Sequence, residues 1–154
     1  MSSKQIDDIK NSISRYLSMR EHSKQELVDK LIRKKFESGE IKRCVDEFCE
    51  KDLQSDKRFA ESYVRSRYNA NKGPIYIISS LKSKGIDDNL INKSLSVYNE
   101  EDWQKSAMSA LDKKKLPNKI KEVNGRKDKQ KMFLRQRGFQ YKTIENAIEE
   151  FWRE

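Results

Sequence analysis

Chemistry needs nucleophiles, bases or metal ligands, and this chain offers few. Its single histidine is His22 and its only cysteines are Cys44 and Cys49. With one histidine, a Ser-His-Asp or Cys-His arrangement has no spare parts, and two cysteines plus one histidine do not complete a zinc site. His22 stands beside a helix start, where capping or packing is its role. Cys44 and Cys49 lie five apart in one predicted helix, so their side chains point apart. They read as small packing residues in a reducing compartment rather than a disulfide. The acidic pairs Asp7-Asp8, Asp87-Asp88 and Glu149-Glu150 are sequence neighbours and read as helix caps or solvated faces. Trp103 and Trp152 read as core. No phosphate-binding glycine loop, dinucleotide fingerprint or H-E-x-x-H pair is present. We therefore expect no catalytic residue, no metal and no cofactor.

The residues that remain for function are basic. The 154 residues carry a net charge of +9, with 38% charged and 34% hydrophobic side chains and a mean hydropathy of -1.03. From Lys113 to Arg137 eleven Lys or Arg accompany only Glu122 and Asp128. Such an excess suits an acidic partner, nucleic acid above all, although it also serves solubility. No apolar run reaches the roughly 20 residues that span a bilayer. "MSSKQIDDIK" lacks a signal-peptide core, so a cytoplasmic protein is expected.

The elements that position these charges follow from apolar spacing. Leu31, Phe36, Ile41, Val45 and Phe48 step by five, five, four and three. Leu81, Ile86, Ile91, Leu95 and Tyr98 repeat the steps, and so do Leu134, Phe139, Ile144, Ile148 and Phe151. In each set the Leu closes the core stripe of a middle helix, the next residue packs the connection, and the last three form the stripe of a third helix. The spacing predicts an all-α protein, an elongated tandem array of three three-helix repeats at 1–52, 53–99 and 100–154. Ser23 and Glu26 have capping-box spacing, and Pro74 suits a first helical turn. Gly85 and Gly138 suit left-handed helix ends. Lys35 stands at the equivalent place, which predicts a differently built end there.

"SMREHSKQELVDKLIRKKF", "DKRFAESYVRSRYNANKGPIYIISSLKSKGI" and "FLRQRGF" together resemble the RecX family, over nearly the whole chain. The resemblance implies a cytoplasmic, monomeric, non-enzymatic regulator. It implies binding to RecA within the groove of RecA filaments on single-stranded DNA, restraining ATPase, strand-exchange and coprotease activity. Regulation of DNA repair, the SOS response and homologous recombination would follow. Family members often carry Arg or Lys just after the Gly-Pro, where this chain has Ile75 and Tyr76, so that basic contact is missing or moved. The alternative is a non-specific DNA-binding protein, and weak direct DNA binding also fits the first reading. Candidate filament or DNA contacts are Lys34, Arg65, Arg67, Lys72, Lys82, Lys84, Lys113, Lys114, Lys115, Lys127, Lys129, Lys131, Arg135 and Arg137. Among them Lys34, Lys84 and Arg137 recur three residues after the anchor Leu. That ladder reads either as helix-end charge answering the dipole or as a contact ridge.

Overall fold

The structure is a computed structural model that describes residues 3–114 and 122–153. The described residues form nine helices and no strands: α1 (Ser3–Met19), α2 (Lys24–Arg33), α3 (Ser38–Glu50), α4 (Asp56–Asn69), α5 (Pro74–Ser83), α6 (Asp88–Leu95), α7 (Glu100–Lys113), α8 (Val123–Gln136) and α9 (Tyr141–Phe151). The fold is a helical repeat. Lys115 lies outside the described residues.

Local chemistry sets most helix starts. Ser23 Oγ accepts from the Glu26 N–H at 3.1 Å while the Glu26 carboxylate accepts from the Ser23 N–H at 3.0 Å, a complete capping box for α2. Asn99 and Asp102 build the same box at α7. Asp87 accepts from Leu90 N–H to open α6, and Ser55 from Arg58 N–H to open α4. α3 starts by another route: the Glu37 carboxylate takes the N–H groups of Gly39 and Glu40.

All three anchor leucines, Leu31, Leu81 and Leu134, are fully buried. Each accepts at its carbonyl from the residue five places on: Phe36, Ile86 and Phe139. The residue between is left-handed every time, with φ of +81° at Gly85, +94° at Gly138 and +67° at Lys35. The first repeat therefore ends its middle helix as the others do, contrary to the expectation for Lys35. Returning the chain to bury the following residue imposes the conformation, and Lys35 adopts it at a cost of about 1–2 kcal/mol.

The chain divides into two compact units. The first comprises residues through Tyr63 plus Leu81–Ile91, the second Val64–Ser80 plus Asn92 onward. In the first, Ile9, Ile13, Leu27, Leu31, Ile41, Cys44 and Val45 form one core, with Tyr16, Phe36 and Phe48 against it. Burial raises the Cys44 thiol pKa. Cys49 is exposed and free, so only Cys44 is the packing cysteine expected of the pair. In the second, Trp103, Ala107, Leu111, Leu134, Phe139, Ile144 and Ile148 are buried, and Tyr68 and Tyr98 gather on Trp103.

Candidate functional site

No group of three or more His, Cys, Asp or Glu among the described residues could hold a metal ion. Nor is any described helix long and apolar enough to cross a membrane. His22 is buried: its Nδ1 faces the Arg20 carbonyl at 3.0 Å and its Nε2 faces Lys30 Nζ at 2.8 Å. An ammonium can only donate, so the imidazole is neutral with its proton on Nδ1. Burial, joined by the nearby Arg20 and Lys30 charges, holds its pKa below the ordinary value. This is a packing histidine.

Charge separates the two units. The first holds sixteen Lys and Arg against fifteen Asp and Glu, the second eighteen against ten. The surplus of the whole chain thus belongs almost entirely to the second unit. The partners differ as well. In the first unit Lys10 pairs with Glu47, Lys24 with Asp46, and Arg58 with Glu21 and Asp52. Arg20 forks onto Glu26, which Lys84 also approaches at 3.8 Å. Burial would raise the Glu26 carboxyl, but bonds from Arg20 and the Ser23 N–H, with the charge of Lys84, hold it below its usual range.

In the second unit cations meet carbonyls, an amide and rings. Lys72 lies 4.7 Å over Tyr76, Lys127 5.9 Å over Trp152, and Lys114 4.9 Å over Phe133. Lys113 Nζ donates to Asn71 Oδ1 at 3.1 Å. Arg137 donates Nε to the Asn71 carbonyl and Nη2 to the Ala70 carbonyl, with its Cζ 5.5 Å over Phe133. Lys131, 3.5 Å from Glu145, and Arg153, 3.7 Å from Glu149, are the exceptions. Arg65, Lys129 and Arg135 are exposed and join no ion pair among the described residues. Arg67 donates to Ser66 Oγ.

The ladder residues each fold back onto their own unit. Lys34 lies 5.2 Å over Tyr16, Lys84 faces Glu26 and lies 5.7 Å over Tyr63, and Arg137 caps α4. Lys82 stands 3.9 Å from Asp88. Near the Gly-Pro, Ile75 is exposed, and the cation that reaches Tyr76 comes from Lys72.

The residues that sequence reasoning missed are Asn71 and Phe133. Asn71 is buried and left-handed at φ +59°, and its amide also donates to Ser106 Oγ. "NANKGP" carried a usable signal, because Asn tolerates that conformation better than other non-glycine residues. With Ala70, Ala110, Lys113, Lys114, Phe133 and Arg137 it lines a cleft of about 270 Å³ in the second unit.

Two stretches match family domains described as RecX, first three-helix domain (residues 10–48) and RecX, second three-helix domain (residues 55–95). The chain is 35% identical to "Regulatory protein RecX" of Legionella pneumophila (strain Corby), covering 91% of this chain and 92% of that protein. It is 30% identical to "Regulatory protein RecX" of Chromohalobacter salexigens, over 90% and 89%. Among solved structures it is similar to RecX from Lactobacillus salivarius, with a TM-score of 0.80, 30% identity and 97% of each chain covered.

Proposed function

The chain belongs to the RecX family of regulatory proteins, and from that premise we propose that it binds RecA filaments on single-stranded DNA within their groove and restrains them. ATPase, strand exchange and coprotease activity fall as a result, and repair, recombination and the SOS response are regulated through them. The protein acts in the cytoplasm as a monomer, by binding and not by catalysis. One observation carries the reading: in a chain of this family the charge surplus is concentrated in one unit, where few of the described cations are answered by carboxylates. A groove lined with phosphate and protein acids is the surface such a unit fits. The bounds 1–52, 53–99 and 100–154 are proposed as its three repeats.

The test is RecA ATPase on single-stranded DNA with this protein far substoichiometric to RecA. A filament-specific agent slows hydrolysis when too scarce to coat the DNA. Slowing that sets in only near saturation of the DNA would instead indicate simple competition for the strand, the alternative favoured by the same basic surplus.

A further inference from the structure

We propose that the cleft where the end of α4 meets the last turns of α7 and α8 is a phosphate site, taking one backbone phosphate of a single-stranded nucleic acid. Three cations, Lys113, Lys114 and Arg137, line it with Asn71 and Phe133, and among the described residues no carboxylate does. None of the three joins an ion pair among the described residues. The sequence from Lys115 to Lys121, which follows Lys114 directly, contains no acid either.

The simpler role for these cations is to answer helix ends. A helix C-terminus carries about half a negative charge, so the ends of α4 and α7 offset about one of the three positive charges. The end of α8 is already answered, because the Arg137 and Gly138 carbonyls accept from the Gly73 and Ile75 N–H groups at 2.8 and 2.9 Å. About two positive charges remain around one small cleft.

Geometry selects the anion. Arg137 has spent its Nε hydrogen and one of its two Nη2 hydrogens on backbone carbonyls. What it still offers is its end-on edge, the Nη1 hydrogens and the second Nη2 hydrogen, beside two ammonium groups that act as point charges from other directions. That set suits a tetrahedral anion. Asn71 fixes it, since its carbonyl holds Arg137 and its Oδ1 holds Lys113, while Ser106 and Ser109 hold its side chain. At about 270 Å³ the cleft is smaller than a typical small-molecule site of roughly 300–1,000 Å³, so it takes a phosphate of a chain that continues outside.

The test uses the full chain without RecA, so its failure leaves the filament reading untouched. Fluorescence anisotropy follows a labelled oligothymidylate, with inorganic pyrophosphate as competitor. Lys113→Gln with Lys114→Gln should weaken binding on the order of tenfold or more per lost contact, and lower the salt slope by about 0.7 for each. Lys105→Gln with Lys142→Gln removes the same charge elsewhere in the unit and should change binding far less. Pyrophosphate should shift the Phe133 ring resonances in the parent and not in Lys114→Gln. The Lys114 side chain makes no hydrogen bond among the described residues, so this single variant keeps the test sound if loss of the Lys113 bond lowers the melting point. Equal weakening by both double variants, or an unmoved Phe133, overturns the proposal. So does capture of a glutamate-rich peptide in place of the oligothymidylate, or binding of pyrophosphate with no binding of the oligothymidylate.

Discussion

The two units solve the same problem differently. The first surrounds its cations with carboxylates in nearly equal number, and ties helix starts, loops and α5's end together through Glu26, Glu47 and Arg58. The second lacks the acids to do so, and holds its cations on carbonyls, Asn71 and aromatic rings. Exposed ion pairs contribute little, about 0–1 kcal/mol each, so the first unit's pairing serves mainly to cancel charge. The second unit leaves its charge uncancelled and its backbone closely interlocked. The difference that results is a first unit close to neutral and a second that carries most of the positive charge of the chain.

That difference breaks most sharply at the shared left-handed helix end. A Cβ on Gly138 would run into the backbone N and Cα of Tyr76, and one on Gly73 into the Gly138 carbonyl group. Gly138→Ala therefore combines left-handed strain with a backbone collision, on the order of 2–5 kcal/mol. Thermal or urea melting of the variant checks this. A loss under 1 kcal/mol would mean that the crossing of α5 and α8 gives way easily.

Arg137 comes next. Arg137→Gln strips the Ala70 and Asn71 carbonyls of their donor, which costs about 1.5–3 kcal/mol. Its repeat counterpart Lys84 faces Glu26 at 3.8 Å across a partly solvated surface, so Lys84→Gln costs less than about 1 kcal/mol. Equal melting shifts for the two variants would erase the contrast between the units.

A third difference is in pH. The only histidine is His22, and its pKa is lowered by folding. Below about pH 6.5 the unfolded chain takes up a proton that the folded chain refuses, so stability falls as pH falls. Glu26, also lowered, adds a further loss below its ordinary 4.5. Amide exchange in α1 to α3 should quicken between about pH 7.5 and 5.5, after correction for intrinsic rates, while α7 to α9 stay level. His22→Gln should flatten the response. An equal response in both units would place the titration elsewhere.

What the sequence disclosed and what it hid divide along the same physical line. The spacing of Leu134, Phe139, Ile144 and Ile148 is set by helical periodicity within fifteen residues, and all four are buried. The Ser23–Glu26 box is likewise local. Arg137 reaches Ala70 and Asn71, 67 and 66 residues away, and no local pattern announces that bond. The cleft was invisible for the same reason: Lys113 and Lys114 were legible as charge, while Asn71 and Phe133, which give that charge a shape, were not.

The finest test of the comparison lies at Lys35. The same bond closes all three middle helices, yet only the first repeat places a side chain at the left-handed residue. Strain there is about 1–2 kcal/mol. Glycine would relieve it, while its greater freedom in the unfolded chain returns about 0.5–1 kcal/mol. Lys35 is exposed and joins no ion pair among the described residues, so little else is lost. Lys35→Gly should therefore raise stability by up to about 1 kcal/mol, read as a higher urea midpoint at unchanged slope. The reverse change, Gly85→Lys, should cost more than this gain, because a Cβ at Gly85 also meets the Gln25 side chain. A lowered midpoint for Lys35→Gly would show that the left-handed turn at residue 35 depends on its side chain, and that the three helix ends are alike in geometry only.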